Sequence, residues 1–151
     1  MTPPSDSFVG LADLLRPCRD PWSIFGGAAL CLHGITSELP KDIDVLLSID
    51  DAERIAARHG LENKAAGGIE RFRSQILLHP STGTVPVELM AGFEVLTTDG
   101  WVPVRIERRV TKTIGGLALP VATLPELARL FRLFGRPKDL ERLRRIAPSD
   151  G

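Results

Sequence analysis

The chain has 151 residues, 43% hydrophobic and 25% charged, an ordinary balance for a soluble globular domain able to bury a sizeable core. Its formal net charge is zero, so no global field steers it towards nucleic acid or an anionic membrane. No apolar run nears the ~20 residues needed to span a bilayer, and the start of the chain lacks the basic-then-apolar order of a signal peptide. The two cysteines, Cys18 and Cys31, form no CxxC pattern, which argues against a zinc ribbon or a secreted disulfide framework. The expectation is one cytoplasmic domain over residues 1–151, with a core over about 8–121 and C-terminal helices over about 123–147.

Apolar residues at helical spacing from Phe8 to Arg16 predict a first helix, stopped by Pro17 and Pro21. Trp22 to Phe25 reads as a short strand, and Gly26-Gly27 turns it into a helix ending near Gly34. A loop follows over Ile35 to Pro40. Asp42 to Ile49 reads as a strand buried on both faces apart from its acids, and Asp50-Asp51 supplies the cap and first-turn acid of a helix closed by Gly60. Ile69 to Arg73 alternates weakly after Gly67-Gly68. Gln75 to His79 and Val85 to Met90 read as strands joined through Pro80 to Gly83. Trp101 to Ile106, Arg109 to Ile114 and Leu117 to Val121 are further short strands. Thr123 caps a helix over Leu124 to Phe134, with Pro125 in its first turn, Glu126 at the capping-box position and Gly135 at its end. Pro137 starts a last helix with an apolar stripe of Leu140, Leu143 and Ile146. Alternating elements early and segregated ones later predict an α/β or α+β mixed sheet with flanking helices.

Three features carry chemistry. Asp42 and Asp44 are two apart on a strand, so both side chains leave one face with Cα atoms roughly 6.6 Å apart, while Ile43, Val45 and Leu47 point into the core. A carboxylate in an otherwise apolar strand needs a partner, and two of them suit Mg²⁺, which favours a few carboxylates with waters and substrate phosphates. Gly26-Gly27 between strand and helix lets the backbone come close to a phosphate. From Glu126 to Ile146 seven basic residues stand against three acids, a +4 segment on a −4 body. Such a segment is an ordinary solvated helix face or a surface that attracts polyanions. His33, at the end of the second helix, reads as a hydrogen-bonding residue at a helix C-terminus.

The pattern Gly26-Gly27-x-Ala29-x-x-x-His33-Gly34, a loop, and Asp42-Ile43-Asp44 resembles the nucleotidyltransferase superfamily of the DNA polymerase beta type. The nearest branch is that of the small bacterial type IV toxin–antitoxin nucleotidyltransferase-like proteins. Leu124-Pro125-Glu126-Leu127-Ala128-Arg129 and Gly135-Arg136-Pro137-Lys138-Asp139-Leu140 resemble their C-terminal region. The resemblance implies a nucleotidyltransferase-like mixed sheet with a C-terminal helical pair. It implies an NTP substrate, Mg²⁺ or Mn²⁺ held by Asp42, Asp44 and Glu88, and Glu88 as general base. It further implies triphosphate contacts from Gly26 and Gly27, with Lys41 as the loop cation. The acceptor would be RNA such as tRNA, a protein or a small molecule such as an antibiotic, and a cognate partner protein would fit a toxin–antitoxin role. The chain departs from its relatives in three places. The loop Thr36 to Lys41 has no Arg, the third acid is Glu rather than Asp, and Arg129 and Arg132 stand where relatives carry a Lys. These departures motivate an alternative, a catalytically weak or inactive binding module of the same fold acting through protein or RNA contacts.

Overall fold

A computed structural model describes residues 6–67 and 71–150. The chain forms α1 (Asp6–Leu15), β1 (Ser23–Phe25), α2 (Gly26–Leu32), β2 (Ile43–Leu46) and α3 (Ile49–His59). There follow β3 (Phe72–Arg73), β4 (Ile76–Leu78), β5 (Val87–Ala91), β6 (Glu94–Thr97), β7 (Gly100–Pro103), β8 (Arg109–Ile114) and β9 (Leu117–Ala122). The helices α4 (Leu124–Phe134) and α5 (Pro137–Asp150) end the chain.

Six strands form a mixed sheet in the order β4-β5-β2-β1-β9-β8, and β3-β6-β7 form a second, smaller sheet. Within the large sheet β2 runs parallel to β5 and antiparallel to β1, while β1 runs parallel to β9. Both edges are antiparallel hairpins, β4 on β5 and β9 on β8. The expected mixed sheet with flanking helices and a C-terminal helical pair is what the chain adopts. Ile43 and Val45 on β2, Leu89 on β5 and Val121 on β9 are fully buried. So are Leu127 and Leu130 of α4, with Phe131 and Phe134 nearly so; each such side chain contributes about 1.5–3 kcal/mol by leaving water. No helix among the described residues is long and apolar enough to cross a membrane.

Several local expectations are revised. Strand β2 stops at Leu46 and Ile49 already belongs to α3, whose cap is Ser48: its hydroxyl accepts from the Asp51 amide at 3.1 Å. Asp51 is instead buried, accepting from the Arg19 and Asp20 amides at 3.0 and 2.9 Å and pairing with Arg54. Strand β6 escapes the sequence reading because Glu94-Val95-Leu96-Thr97 is too short to display a period. Trp101 to Ile106 contributes only the stretch to Pro103 as strand. The reading of Ile69 to Arg73 falls partly on residues 68–70, outside the described residues, and β3 covers Phe72–Arg73 alone. Leu140 is 41% exposed, and the neighbouring Asp139 takes the buried position of α5 with Ile146.

Helix α4 begins and ends where its local signals place it. The Thr123 hydroxyl accepts from the Glu126 amide at 3.4 Å, and Gly135 closes the helix in the left-handed region. The return half of the capping box is not made. The Glu126 carboxylate accepts instead from the Glu107 amide at 2.8 Å and pairs with Arg129.

Candidate active site

The site is set by strand register. On β2 and β5, parallel neighbours, Asp44 lies directly across from Glu88. Residues in register on adjacent strands leave the same face of the sheet, with strands about 4.8 Å apart. Asp42 precedes β2 by one residue and lies exposed at the same end. All three acids line one cleft of about 210 Å³. None of the three makes a hydrogen bond or ion pair among the described residues.

Strand β1 brings the glycine turn to this cleft. Phe25 pairs with Asp44 across the β1–β2 ladder, so the next residue, Gly26, turns beside the Asp44 carboxylate. Gly26 has φ +68°, and a Cβ there would sit 3.0 Å from Asp44 Oδ2. Conformation and space therefore both require glycine. A Cβ on Gly27 would meet Arg142 Nη2, also at 3.0 Å.

Helix α5 and the residue before it supply the opposite wall with Arg136, Lys138, Asp139 and Arg142. Fully buried Asp139 holds Arg136 through three hydrogen bonds: its Oδ2 accepts from the Arg136 amide at 3.1 Å and from Nε at 2.6 Å, and its Oδ1 from Nη2 at 3.1 Å. The backbone bond is the N3-acid half of a capping box, and the fork-like pair is the strong geometry for arginine and carboxylate. The guanidinium then lies 4.7 Å over the Phe72 ring of β3, a cation–π contact that ties α5 to the small sheet. Behind it, Phe25, Phe72, Phe93 and Phe134 form a chain of ring contacts with centroids 5.2–6.1 Å apart.

Electrostatics inside the cleft are dominated by the acids. Burial, then the charges of Asp42 and Glu88, push Asp44 from 3.8 up to about 7, against the opposing pull of Arg142 and Lys138. Crowded hard oxygen donors with an ionisation held back for want of positive charge are the donor chemistry that suits Mg²⁺ or Mn²⁺. Among the described residues no three His, Cys, Asp or Glu side chains are gathered closely enough to form a closed metal-ligand set. The three acids fit such an ion in kind and in location, sharing a cleft rather than a finished cage.

Of the other residues singled out from sequence, Lys41 is exposed and does not line the cleft. Arg129 pairs with Glu126 and donates to the Arg105 carbonyl at 2.6 Å, Arg132 faces solvent, and neither lines the cleft. His33 caps α2, and its Nε2 lies 2.8 Å from the Ala122 carbonyl, an acceptor that requires Nε2 to carry the proton. Burial lowers its pKa, so the ring is a neutral structural link between α2 and β9. Cys18 and Cys31 are free thiols, each raised in pKa chiefly by burial.

Sequence reasoning missed the α5 cations as cleft residues, and it missed the aromatic wall. Five of the six phenylalanines line the cleft, a concentration that no spacing reveals because they come from β1, β3, the β5–β6 turn and α4. A partial signal was available: Phe25 directly precedes Gly26-Gly27 and Phe93 follows Glu88 by five residues.

Neither the family models nor the curated proteins compared with the chain give a match. Solved structures do. TM1012 of Thermotoga maritima, a protein assigned as a nucleotidyltransferase, is 23% identical with a TM-score of 0.67, covering 92% of this chain and 89% of its own. The antibiotic-resistance factor ANT(2'')-Ia in solution is 14% identical with a TM-score of 0.61, over 96% of this chain and 83% of its own. The lincosamide antibiotic adenylyltransferase LnuA, with lincomycin bound, is 12% identical with a TM-score of 0.58, over 97% and 98% of the two chains. At these identities what is shared is the architecture, and the chain has the nucleotidyltransferase fold.

Proposed function

We propose that the chain transfers a nucleoside monophosphate from an NTP to an acceptor hydroxyl in a divalent-metal-dependent reaction. The observation that carries this reading is the register of β2 and β5, which sets Asp44 beside Glu88 next to the Gly26 turn. Asp42, Asp44 and Glu88 would hold Mg²⁺ or Mn²⁺, which when bound polarises the phosphate oxygens and neutralises the charge that develops on them. Glu88 takes the acceptor proton as general base. The acceptor oxygen forms a bond to the α-phosphorus as the bond to the β-phosphate oxygen breaks, and pyrophosphate leaves. Gly26 and Gly27 allow the backbone to approach the triphosphate, whereas Lys41, outside the cleft, takes no part in this reading.

Two acceptor classes have support. The exposed Lys138, Arg144 and Arg145 of α5 suit a polyanion such as tRNA, as in a toxin–antitoxin component. Likeness in fold to ANT(2'')-Ia and LnuA supports a small antibiotic. A second reading, a binding module that retains the fold, is favoured by the cleft volume of about 210 Å³, below the roughly 300–1,000 Å³ usual for ligand pockets. The test is incubation with Mg²⁺, each α-labelled NTP, and pools of tRNA, lysate protein and antibiotics. Transfer of label that disappears in the Asp42→Asn/Asp44→Asn double variant is expected. Absence of transfer together with absence of NTP binding by calorimetry assigns the chain to the binding-module reading.

A further inference from the structure

Seven cations lie in the C-terminal segment, and the structure sorts them by partner. Arg129 pairs with Glu126, Arg136 with Asp139, and Arg144 and Arg145 with Glu141. All of these are carboxylates three or four residues away on the same helix or its cap, the ordinary arrangement of a solvated helix face. Arg132 is exposed and off the cleft. Lys138 and Arg142 remain. Both line the acid cleft, and neither has an ion pair or hydrogen bond among the described residues.

Arg142 is the more deeply placed of the two. It is half-buried, its guanidinium carbon is 5.9 Å from the Phe131 ring centroid, and its Nη2 stands where a Gly27 Cβ would be 3.0 Å away. Its planar donors therefore face the glycine turn from one side while the three carboxylates lie across the cleft. The loop Thr36–Lys41, which brings no arginine, leaves its lysine outside.

We propose that Arg142 is the residue that binds the polyphosphate of the nucleotide, with Lys138 beside it, taking the role that the arginine-free loop does not fill. This rests on the nucleotidyltransferase reading and deepens it: α5 selects a nucleoside triphosphate over a monophosphate. A guanidinium offers paired N–H donors to phosphate oxygens, and those of Arg142 make no hydrogen bond or ion pair among the described residues. Four cleft residues, Arg136, Lys138, Asp139 and Arg142, come from the start of α5 and the residue before it, so one helix end presents its cations to the glycine turn. Entry of the triphosphate then moves Arg142 from the glycine turn onto phosphate oxygens.

The test is calorimetric titration of the full chain with Mg²⁺ and a non-hydrolysable ATP analogue, with AMP, and with inorganic tripolyphosphate. The proteins are wild type, Arg142→Ala, Arg142→Lys and Arg16→Ala, each checked by thermal melting. Loss of charge-assisted hydrogen bonds predicts about 10- to 100-fold weaker binding of the triphosphates to Arg142→Ala, unchanged AMP binding, and partial recovery in Arg142→Lys. Arg16, exposed at the end of α1 and paired with Asp13 away from the cleft, leaves all three titrations unchanged when replaced by Ala. Wild-type binding of the triphosphate with equal affinity in Arg142→Ala overturns the assignment of Arg142 while leaving the nucleotidyltransferase reading in place. Absence of triphosphate binding to the wild type itself overturns both. Equal weakening for AMP and triphosphate overturns the polyphosphate role and makes Arg142 a general support of the cleft.

Discussion

Replacing Asp44 by Asn isolates the electrostatic state of the cleft. In the wild type, burial and the neighbouring Asp42 and Glu88 raise the Asp44 pKa from 3.8 to about 7. The folded state therefore binds the proton more tightly than the unfolded state. This contribution to stability is fully present below the unfolded pKa and is lost as pH rises through about 7. The displacement corresponds to an upper limit of about 4 kcal/mol, and water and salt reaching the half-exposed cleft reduce it to about 2 kcal/mol. Urea unfolding in EDTA at about pH 5 and about pH 8 measures it as the difference between wild type and Asp44→Asn. The variant should gain about 1 kcal/mol on the wild type between the two conditions, because about pH 5 already lies above the unfolded pKa and part of the effect is lost there. Adding Mg²⁺ at the higher pH should restore the wild type and leave the variant unmoved. A wild-type-to-variant difference that is the same at both pH values would refute the reasoning, because it would mean that Asp44 is fully ionised in the folded protein at both.

Other perturbations separate conformation, packing and charge. Gly26→Ala places a side chain at φ +68° and 3.0 Å from Asp44 Oδ2, and should cost about 1–3 kcal/mol in urea unfolding. Gly27→Ala meets only the mobile tip of Arg142 and should change stability by less than about 0.5 kcal/mol. Asp139→Ala leaves Arg136 facing the cleft without its partner and should destabilise by about 2 kcal/mol in the same assay. The Cys18 thiol, pushed up to about 11 by burial and by the nearby Asp51, should react with iodoacetamide near neutral pH on the order of 100-fold more slowly than free cysteine. Replacing Asp51 by Ala should accelerate that reaction.

Features written in adjacent residues were legible in the sequence. Helix α4 carries its hydroxyl cap, its first-turn proline and its terminal glycine within a dozen residues, and its observed bounds are those expected. Asp44 was legible as an acid in an apolar strand, as was Glu88, while Asp42, expected on the same strand, precedes it by one residue; that Glu88 faces Asp44 follows from β2–β5 pairing, which spacing alone does not specify. What could not be read was set by distant contacts. Asp50 looked like the helix cap, a place that Ser48 takes, and Asp51 is the first-turn acid expected, yet two amides from residues 19 and 20 and the Arg54 guanidinium draw it inward. Asp139 displaced Leu140 from the buried stripe because Arg136 satisfies its charge there. Lys41, the nearest cation in sequence to Asp42, lies outside the cleft, while Lys138 and Arg142, almost a hundred residues downstream, come to it on α5. Sequence distance was the wrong guide to the cations because helix packing, which no local signal encodes, decides which of them face the acids.

The central claim is that Asp42, Asp44 and Glu88 form one metal and nucleotide site beside Gly26. The most direct measurement is a crystal structure with Mn²⁺ and a non-hydrolysable NTP, locating the metal by its anomalous scattering. A peak bounded by the Asp42, Asp44 and Glu88 carboxylates is expected, with the triphosphate running past Gly26 and Gly27. Nucleotide bound with no peak there, or a peak that leaves Glu88 outside coordinating distance, would contradict it.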